Sequence, residues 1–281
     1  MGAIHLYLVR HGESVDNVAN LYAGSRDASL TSHGVLQARR LGTHLSSRTA
    51  SAPVSHIFAS NLQRAFRTAE AIRDALSTSS EAEVSTRSHV VEVVQLPELR
   101  EKHFGSGEGQ KVGARSVGER HVGAETHEAM FARAKRFVSD YLAPIFACVD
   151  AVEAESESVV VVAHGIILGV LARVLRSTSY FGTVVSTPED QMPLAWSNTG
   201  YVEVHITASA TSKTTESKQS DSTPTWPDLS FKTITVNCTD HLQGLKKTRG
   251  GIGSAKHDEK QKTLNAFFTP TAKKRKHDDE T

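Results

Sequence analysis

Short apolar runs alternate with amphipathic stretches along the first 206 residues of the chain. Short runs that are almost wholly apolar are typical of strands buried in a parallel sheet, and apolar residues spaced by three and four are typical of helices that pack on it. The predicted strands are 4–9, 54–59, 90–94, 158–162, 201–206 and 231–236. The predicted helices are a segment capped by Thr31 that runs to Leu45, then 62–76, 125–148 and 165–175. This order predicts an α/β fold, a three-layer α/β/α sandwich around a mostly parallel sheet.

The domain boundaries follow from changes in composition. Residues 1–245 are predicted to form one domain, with a flexible Ser/Thr-rich insertion at 207–230. Residues 246–281 contain ten Lys or Arg against five Asp or Glu, a net charge of +5, whereas the rest of the chain has a net charge of −4. We therefore expect a mildly acidic globular domain followed by a disordered basic tail with a separate role.

Cysteine content and hydropathy restrict the compartment and the chemistry. Cys148 and Cys238 are the two cysteines of the chain, too few for a disulfide framework, which favours a reducing intracellular compartment. The apolar run at 4–9 is too short for a signal peptide or a membrane span, so no membrane association is expected. No grouping of residues resembles a metal site, and we predict neither a metal nor another cofactor.

Two histidines follow two of the predicted strands directly. Arg10-His11-Gly12 ends the first strand, and Ala163-His164-Gly165 lies between a later strand and a helix. Parallel strands end at the same edge of a sheet, where ligands bind, so the two imidazoles are expected to lie close together. The glycines allow an anion to approach the backbone, and the amides at the helix start after Gly165 suit a phosphate.

Two further segments supply a guanidinium and a carboxylate. Arg64 follows another predicted strand, so that Arg10 and Arg64 together are expected to hold one phosphoryl group in bidentate fashion. Leu99-Arg100-Glu101 offers a carboxylate ahead of Phe104. Glu101 is the predicted acid, and Glu98 is the alternative.

The motifs together resemble the histidine phosphatase superfamily, also called the phosphoglycerate-mutase-like family. The resemblance extends from residue 4 to about residue 206, in the family order. The matching segments are Leu8 to Ser14, Asn17, Leu30-Thr31, Gly34, Gln37-Ala38, Ser60 to Thr68, Leu99 to Gly105 and Ala163-His164-Gly165.

The resemblance implies a phosphatase that forms a phosphohistidine and needs no metal. His11 is its nucleophile and Glu101 its proton donor, and Asn17 adds a hydrogen bond unless it serves only as a helix cap. The predicted catalytic residues are His11, Glu101, His164, Arg10 and Arg64, and the predicted substrate-binding residues are Asn17, Gly12 and Gly165.

A later pair of segments is similar to the TIGAR-type fructose-bisphosphatases. These are Ser197 to Gly200 and the Asn-x-x-Asp-His-Leu-x-Gly-Leu run at 237–245. The similarity implies a small phosphorylated metabolite as the substrate, such as a sugar phosphate or a glycolytic phosphate ester. Basic residues near the segment 104–125 either meet a second phosphate or form a solvated loop: Lys102, Lys111, Arg115, Arg120 and His121.

The basic tail carries two short motifs. Gln261, Leu264, Phe267 and Phe268 fit the peptide that docks on the sliding clamp PCNA, in which one helical turn brings the apolar side chains together. Lys273, Lys274, Arg275 and Lys276 are similar to a nuclear localisation signal, although such a run is also typical of a solvated basic patch. The motifs predict the cytoplasm and the nucleus as locations, with nucleic acid contacted only indirectly.

Two other functions stay open at this point. A phosphoglycerate-mutase-type phosphotransferase would use the same residues, although it needs a long lid that keeps water out, and the loop here is short. A clamp-interacting adaptor would use the tail, with a largely non-catalytic domain.

Overall fold

The computed structural model describes residues 2–80, 91–113, 121–149, 155–177, 196–208, 229–247 and 252–258. The clamp-like motif and the basic cluster at 273–276 lie outside these residues, as do Arg115 and Arg120 and most of the predicted insertion. None of the helices in the described part of the chain is long and apolar enough to cross a membrane.

A six-stranded mixed sheet organises the fold. Its strands are β1 (Ile4–Arg10), β2 (Val54–Ser60), β3 (Val93–Leu96), β4 (Glu157–Ala163), β5 (Tyr201–Ala208) and β6 (Leu229–Cys238), in the order β3-β2-β4-β1-β5-β6. The pairings β3–β2, β2–β4 and β4–β1 are parallel, and β1–β5 and β5–β6 are antiparallel. The α/β prediction is confirmed, and the parallel half of the sheet carries the two histidine-bearing strands.

Helices cover both faces of this sheet. They are α1 (Val15–Val18), α2 (Ser32–Arg48), α3 (Gln63–Ser80), α4 (His127–Phe137), α5 (Ala143–Phe146) and α6 (Gly165–Arg176). Side chains alternate along β1, so that Leu6 and Leu8 pack with α4 and α6, whereas Tyr7 and Val9 pack with α2 and α3. The sandwich therefore has two apolar cores, one on each side of the sheet.

The predicted helix at 125–148 is interrupted. It divides into α4, a π-helical turn at Val138–Leu142, and α5. Pro144 lies at the start of α5, and proline has no amide hydrogen and clashes with the carbonyl four residues before it. A wider π turn before the proline relieves this conflict, and the sequence pattern of apolar residues did not indicate it.

Part of the predicted disordered tail packs against the domain. The segment 252–258 includes a 3₁₀ turn at Ile252–Ser254, and Lys256 forms an isolated bridge with Thr31. The Ser32 amide donates to the Ala255 carbonyl (3.1 Å), and the His257 amide donates to the Leu30 carbonyl (3.1 Å). Backbone hydrogen bonds to the start of α2 hold this short segment, which is too polar for its hydropathy to reveal it.

Candidate active site

A pocket of about 410 Å³ opens at the carboxyl edge of the parallel strands. Arg10 of β1 is in register with Ala163 of β4, so the histidine after each strand end reaches the same place. Seven of the eight predicted catalytic and substrate-binding residues line the pocket: Arg10, His11, Asn17, Arg64, Glu101, His164 and Gly165. Glu98, the alternative acid, is not among the lining residues.

His11 is a buried, neutral imidazole with its outer nitrogen available for attack. Its Nδ1 lies 2.7 Å from the Gly12 carbonyl oxygen, which only accepts, so Nδ1 carries the proton and Nε2 keeps its lone pair. Burial lowers the pKa of His11 well below its usual value, and the charges of Arg64 and Arg10 lower it further. A neutral Nε2 lone pair is what a nucleophile for phosphorus requires.

His164 has the opposite arrangement of protons. Arg64 Nε donates to His164 Nδ1 (3.2 Å), so the neutral ring carries its proton on Nε2. Burial, Arg64 and His11 lower the pKa of His164 well below its usual value. Its Nε2 is buried and has no hydrogen-bond partner among the described residues. The two rings lie 4.9 Å apart, and one therefore offers a lone pair while the other offers a hydrogen.

Arg64 does not form the predicted bidentate clamp. Its Nη1 donates to the Arg26 carbonyl (2.6 Å) and its Nη2 to the Ala23 carbonyl (2.8 Å), in addition to the bond to His164. The side chain is buried, and these bonds take up most of its N–H groups. Arg64 therefore positions the loop 23–26 and His164, and it adds a positive charge beside both histidines.

Arg10 keeps more of its hydrogen-bonding capacity for a ligand. Its Nη1 donates to the Trp196 carbonyl, while its buried Nε has no partner in the described part of the chain. Because an unpaired buried donor is costly, the Arg10 Nε and the His164 Nε2 together indicate a site for an anion with several acceptor oxygens. Phosphate meets that requirement.

Glu101 lies at the N-terminus of α6. Its carboxylate accepts hydrogen bonds from the amides of Ile166 (3.1 Å), Ile167 (3.2 Å) and Lys102 (2.8 Å). The predicted free amides after Gly165 are therefore bound to this carboxylate. Desolvation raises the pKa of Glu101 above its usual value, although the three amides and Arg64 act in the other direction. A raised pKa favours a protonated acid beside the nucleophile.

Gly12 and Asn17 have structural partners. The Gly12 amide donates to Thr68 Oγ1 (3.0 Å), and a Cβ at Gly12 would lie 2.6 Å from the Gly34 carbonyl oxygen, so close backbone packing requires this glycine. Asn17 Oδ1 accepts from the Ser14 amide (3.1 Å), which completes a capping box at α1. Gly12 does not line the pocket, whereas Asn17 combines the cap with a place in the pocket wall.

Asn198 is a pocket residue that the site prediction did not include. Its Nδ2 donates to the His11 carbonyl (3.1 Å) and to Asn17 Oδ1 (3.1 Å). The next residue, Thr199, has φ +56° and donates its amide to the same His11 carbonyl. His241 Nε2 lies 2.9 Å from Thr199 Oγ1. The Asn-Thr-Gly and Asp-His-Leu segments thus support the backbone of His11, the predicted nucleophile, a role that the motifs alone did not indicate.

Part of the pocket lining is apolar or aromatic. Tyr22 and Phe104 lie with their ring centroids 4.8 Å apart, and Leu21 and Val112 also line the pocket. The Tyr22 ring also contacts His121 at 5.0 Å. Lys102, Lys111 and His121, three of the basic residues considered for a second phosphate, are absent from the lining residues that the structure describes.

One group of residues in the described chain has a composition suited to a metal ion. It consists of His5, Glu203 and His205, near the start of β1 and therefore at the opposite end of that strand from His11. Glu203 already accepts hydrogen bonds from Arg48 (2.7 and 2.9 Å) and from His205 (2.8 Å). Desolvation alone would raise the pKa of Glu203, but these bonds outweigh it and lower the pKa. This group is a satisfied ion-pair network.

Comparison with known proteins places the chain in a family. Residues 6–181 match the model of the histidine phosphatase superfamily, branch 1. The chain belongs to that superfamily. A probable phosphatase of Schizosaccharomyces pombe is 30% identical over 271 residues, 92% of this chain and 78% of that protein. A probable phosphoglycerate mutase GpmB of Erwinia tasmaniensis is 36% identical over 116 residues, 41% of this chain and 46% of the mutase. The chain is an enzyme with the histidine phosphatase fold and site.

Solved structures share the fold of this chain. A phosphoglycerate mutase of Bacillus anthracis superposes with a TM-score of 0.58 at 20% identity, covering 86% of this chain and 96% of the mutase. A mycobacterial glucosyl-3-phosphoglycerate phosphatase superposes with a TM-score of 0.55 at 20% identity, covering 84% of this chain and 99% of the phosphatase.

Proposed function

We propose that the protein is a phosphatase that hydrolyses small phosphate monoesters through a phosphohistidine at His11 and needs no metal ion. The observation that carries the proposal is the pairing of a neutral lone pair on His11 Nε2 with unpaired buried donors on His164 and Arg10. The lone pair is suited to attack phosphorus, and the donors are suited to bind the oxygens on which charge accumulates.

The first step transfers the phosphoryl group to the enzyme. His11 Nε2 forms a bond to phosphorus as the bond from phosphorus to the ester oxygen breaks, and protonated Glu101 gives its proton to that leaving oxygen. The raised pKa of Glu101 supports this role. Arg64 and Arg10 contribute positive charge throughout, as metal ions do in other phosphatases.

The second step restores the enzyme. A water molecule attacks the phosphohistidine, Glu101 now accepts the proton of that water, and the bond between Nε2 and phosphorus breaks. The hydrogen bond from His11 Nδ1 to the Gly12 carbonyl, at 2.7 Å, supports both steps because it stabilises the ring orientation and the charge that the ring acquires.

A small ester with one phosphate is the substrate class that the pocket supports best. The cations among the described lining residues are Arg10 and Arg64, whose charges act on His11, and the aromatic lining residues are Tyr22 and Phe104, whose rings contact each other. Aromatic walls accept flat or weakly polar groups, including the C–H face of a sugar ring. A sugar as the leaving group agrees with the resemblance to the fructose-bisphosphatases, but the second phosphate of their substrates has no cationic partner among the described lining residues besides Arg10 and Arg64.

The test is hydrolysis of a substrate panel by the purified protein in the presence of a chelator. The panel includes p-nitrophenyl phosphate, sugar monophosphates, sugar bisphosphates and phosphoglycerates. We expect turnover in chelator that disappears in His11→Ala and remains in His33→Ala, a matched histidine outside the pocket. Undiminished turnover in His11→Ala, or dependence on added metal, would contradict the proposal.

The mutase alternative predicts a different product from the same reaction. With 3-phosphoglycerate, a mutase would yield the 2-phospho isomer, and a phosphatase would yield inorganic phosphate and glycerate. We expect phosphate because the loop from Phe104 to Glu125 is short in the sequence, whereas a mutase needs a long lid that keeps water away from its intermediate. Isomer formation faster than phosphate release would support the mutase.

We propose a second role for the tail, docking on the sliding clamp. The spacing of Gln261, Leu264, Phe267 and Phe268 supports it, and the neighbouring run 273–276 supports entry into the nucleus in addition to the cytoplasm. Calorimetry with a peptide of residues 255–281 tests clamp binding. We expect heat of binding that is lost when Phe267 and Phe268 are both alanine, and the absence of heat from the unaltered peptide would contradict the role.

A further inference from the structure

A second concavity lies between α2 and α3, away from the catalytic pocket. This α2–α3 groove has a volume of about 980 Å³. Its floor is formed by small or branched apolar side chains, and charged side chains stand along its rims. The floor includes Val35, Ala38, Ala71 and Ala75, and the rims include Arg39 and Asp74. A groove of this shape accepts apolar side chains from an extended or singly turned peptide.

The described end of the chain runs into this groove. The backbone of 255–257 is bonded to that of 30–32, and Lys256, His257 and Asp258 themselves line the groove. The chain therefore leaves the described structure at Asp258, which lines the groove.

The continuation contains one apolar cluster, formed by Leu264, Ala266, Phe267 and Phe268. Leu264 follows Asp258 by six residues and Phe268 by ten. An extended chain spans about 3.3 Å per residue, so the cluster has a reach of roughly 20–33 Å from Asp258. The groove side of α3, from Gln63 to Thr78, is about 22 Å long at 1.5 Å per residue. The cluster can therefore reach any part of the floor.

A tethered segment also competes for the groove more effectively than a free partner does. A short linker holds a segment near its site at an effective concentration of about a millimolar. Apart from Pro270 and Ala272, the rest of 259–281 is polar or charged, so the cluster at 264–268 is the part of the tail with the strongest tendency to leave water.

We propose that the α2–α3 groove holds residues 264–268 of the same chain. Leu264, Phe267 and Phe268 then occupy the apolar floor while 252–258 fixes the entry of the segment. The same three side chains are the anchors of the clamp-like motif, so a docked tail has no anchors to offer to another protein. The groove regulates the exposure of the motif, and this inference does not depend on the phosphatase proposal.

Cysteine crosslinking in the full chain tests the proposal. Cys148 and Cys238 are replaced by serine, Ala266→Cys is added to the tail, and Ala71→Cys is added to the groove floor. The matched control replaces Ala71→Cys with Leu36→Cys, which lies on α2 beside Val35 but is exposed and does not line the groove. Leu36 follows Thr31, which pairs with Lys256, by five residues, and Ala71 lines the groove together with Lys256. Circular dichroism and thermal unfolding verify that each variant is folded.

We expect about tenfold more intramolecular disulfide in the Ala71 pair than in the Leu36 pair under mild oxidation of dilute protein. Adding Phe267→Asp and Phe268→Asp should reduce the Ala71 pair to the level of the control. Equal yields in the two pairs would overturn the proposal, and disulfides between two chains would assign the groove to a second copy. An excess that survives both aspartates would show that the apolar cluster is not the occupant.

Discussion

The catalytic pocket and the α2–α3 groove differ in what their walls offer to a ligand. The groove has more than twice the volume, about 980 Å³ against about 410 Å³. Several of its charged side chains form ion pairs, such as Arg67 with Glu70 at 3.0 Å. The pocket has buried donors on His164 and Arg10 without partners in the described chain. Unsatisfied buried donors, and not volume, therefore distinguish the site of chemistry.

The positions of the two concavities explain this difference. The pocket lies at the carboxyl ends of parallel strands, where backbone and side chains converge from several segments of the chain. The groove lies between two neighbouring helices that present regular side-chain rows. Converging segments can bury and orient polar groups, whereas helix surfaces keep their polar groups at the solvent rim.

The largest expected effect is a difference in lost activity between substitutions at two arginines of the same helix. Arg64 and Arg67 lie one turn apart in α3, the first in the pocket and the second in the groove. Arg64→Ala removes a charge beside both histidines and the donor that orients His164. We expect kcat/KM for p-nitrophenyl phosphate to fall about 10³-fold, and Arg67→Ala to change it by less than about twofold.

Arg64→Lys separates charge from hydrogen-bond geometry at this position. It should restore part of the activity, because the charge returns without the planar donors. Equal losses in Arg64→Ala and Arg67→Ala would remove the distinction between pocket and groove.

A smaller loss of activity is expected when Glu101, the predicted acid, is replaced. Glu101→Gln removes the proton donor, and kcat for an alkyl phosphate should fall about 10²-fold. The loss should be smaller for p-nitrophenyl phosphate, since its leaving group needs little protonation. An equal loss for both substrates would show that Glu101 acts only as the cap of α6.

The expected pH dependence of kcat/KM also depends on Glu101. In the proposed mechanism Glu101 acts in its protonated form, so kcat/KM should fall as pH rises through its pKa, which burial raises above its usual value. The pKa values of His11 and His164 are lowered well below 6.5, so both rings stay neutral in mild acid. The profile should therefore be highest on the acid side of neutrality. In Glu101→Gln the decline at higher pH should be lost with the same substrate, which controls for ionisation of the phosphate.

The smallest expected loss of activity comes from replacing Asn198, whose side chain bonds to the backbone of His11. Asn198→Ala removes two hydrogen bonds, to the His11 carbonyl and to Asn17. We expect kcat to fall about tenfold, which corresponds to about 1.4 kcal/mol, with KM little changed because Asn198 acts through His11. Asn61→Ala, which removes a hydrogen bond from Arg100 (2.6 Å) at a residue that does not line the pocket, is the matched control. A change confined to KM would instead assign Asn198 to direct substrate contact.

Strand-end residues were predictable because their positions depend on local patterns. His11 and His164 each follow an apolar run, and the register of two parallel strands then brings them together. The bonds of Arg64 to the carbonyls of Ala23 and Arg26 were not predictable, because they depend on how a loop forty residues earlier folds over α3. The amides bound by Glu101 depend on a comparable long-range approach to α6.

The same reasoning explains where the observed fold differs from the fold predicted from the sequence. The π turn before Pro144 and the backbone pairing of Lys256 with Thr31 arise from main-chain geometry, which a hydropathy pattern does not encode. Apolar periodicity predicted the sheet and both helical layers because burial decides them. It did not predict the docking of 252–258, because hydrogen bonds and not apolar burial hold that segment.

The central claim is that His11 carries the phosphoryl group, and trapping it is the most direct test. The enzyme is mixed with a ³²P-labelled ester and quenched in alkali within milliseconds, and the labelled peptide is identified by mass spectrometry. We predict an alkali-stable, acid-labile phosphoryl group on the peptide that contains His11, present in His33→Ala and absent in His11→Ala. Rapid turnover with no labelled protein, or label on a residue other than His11, would contradict the account.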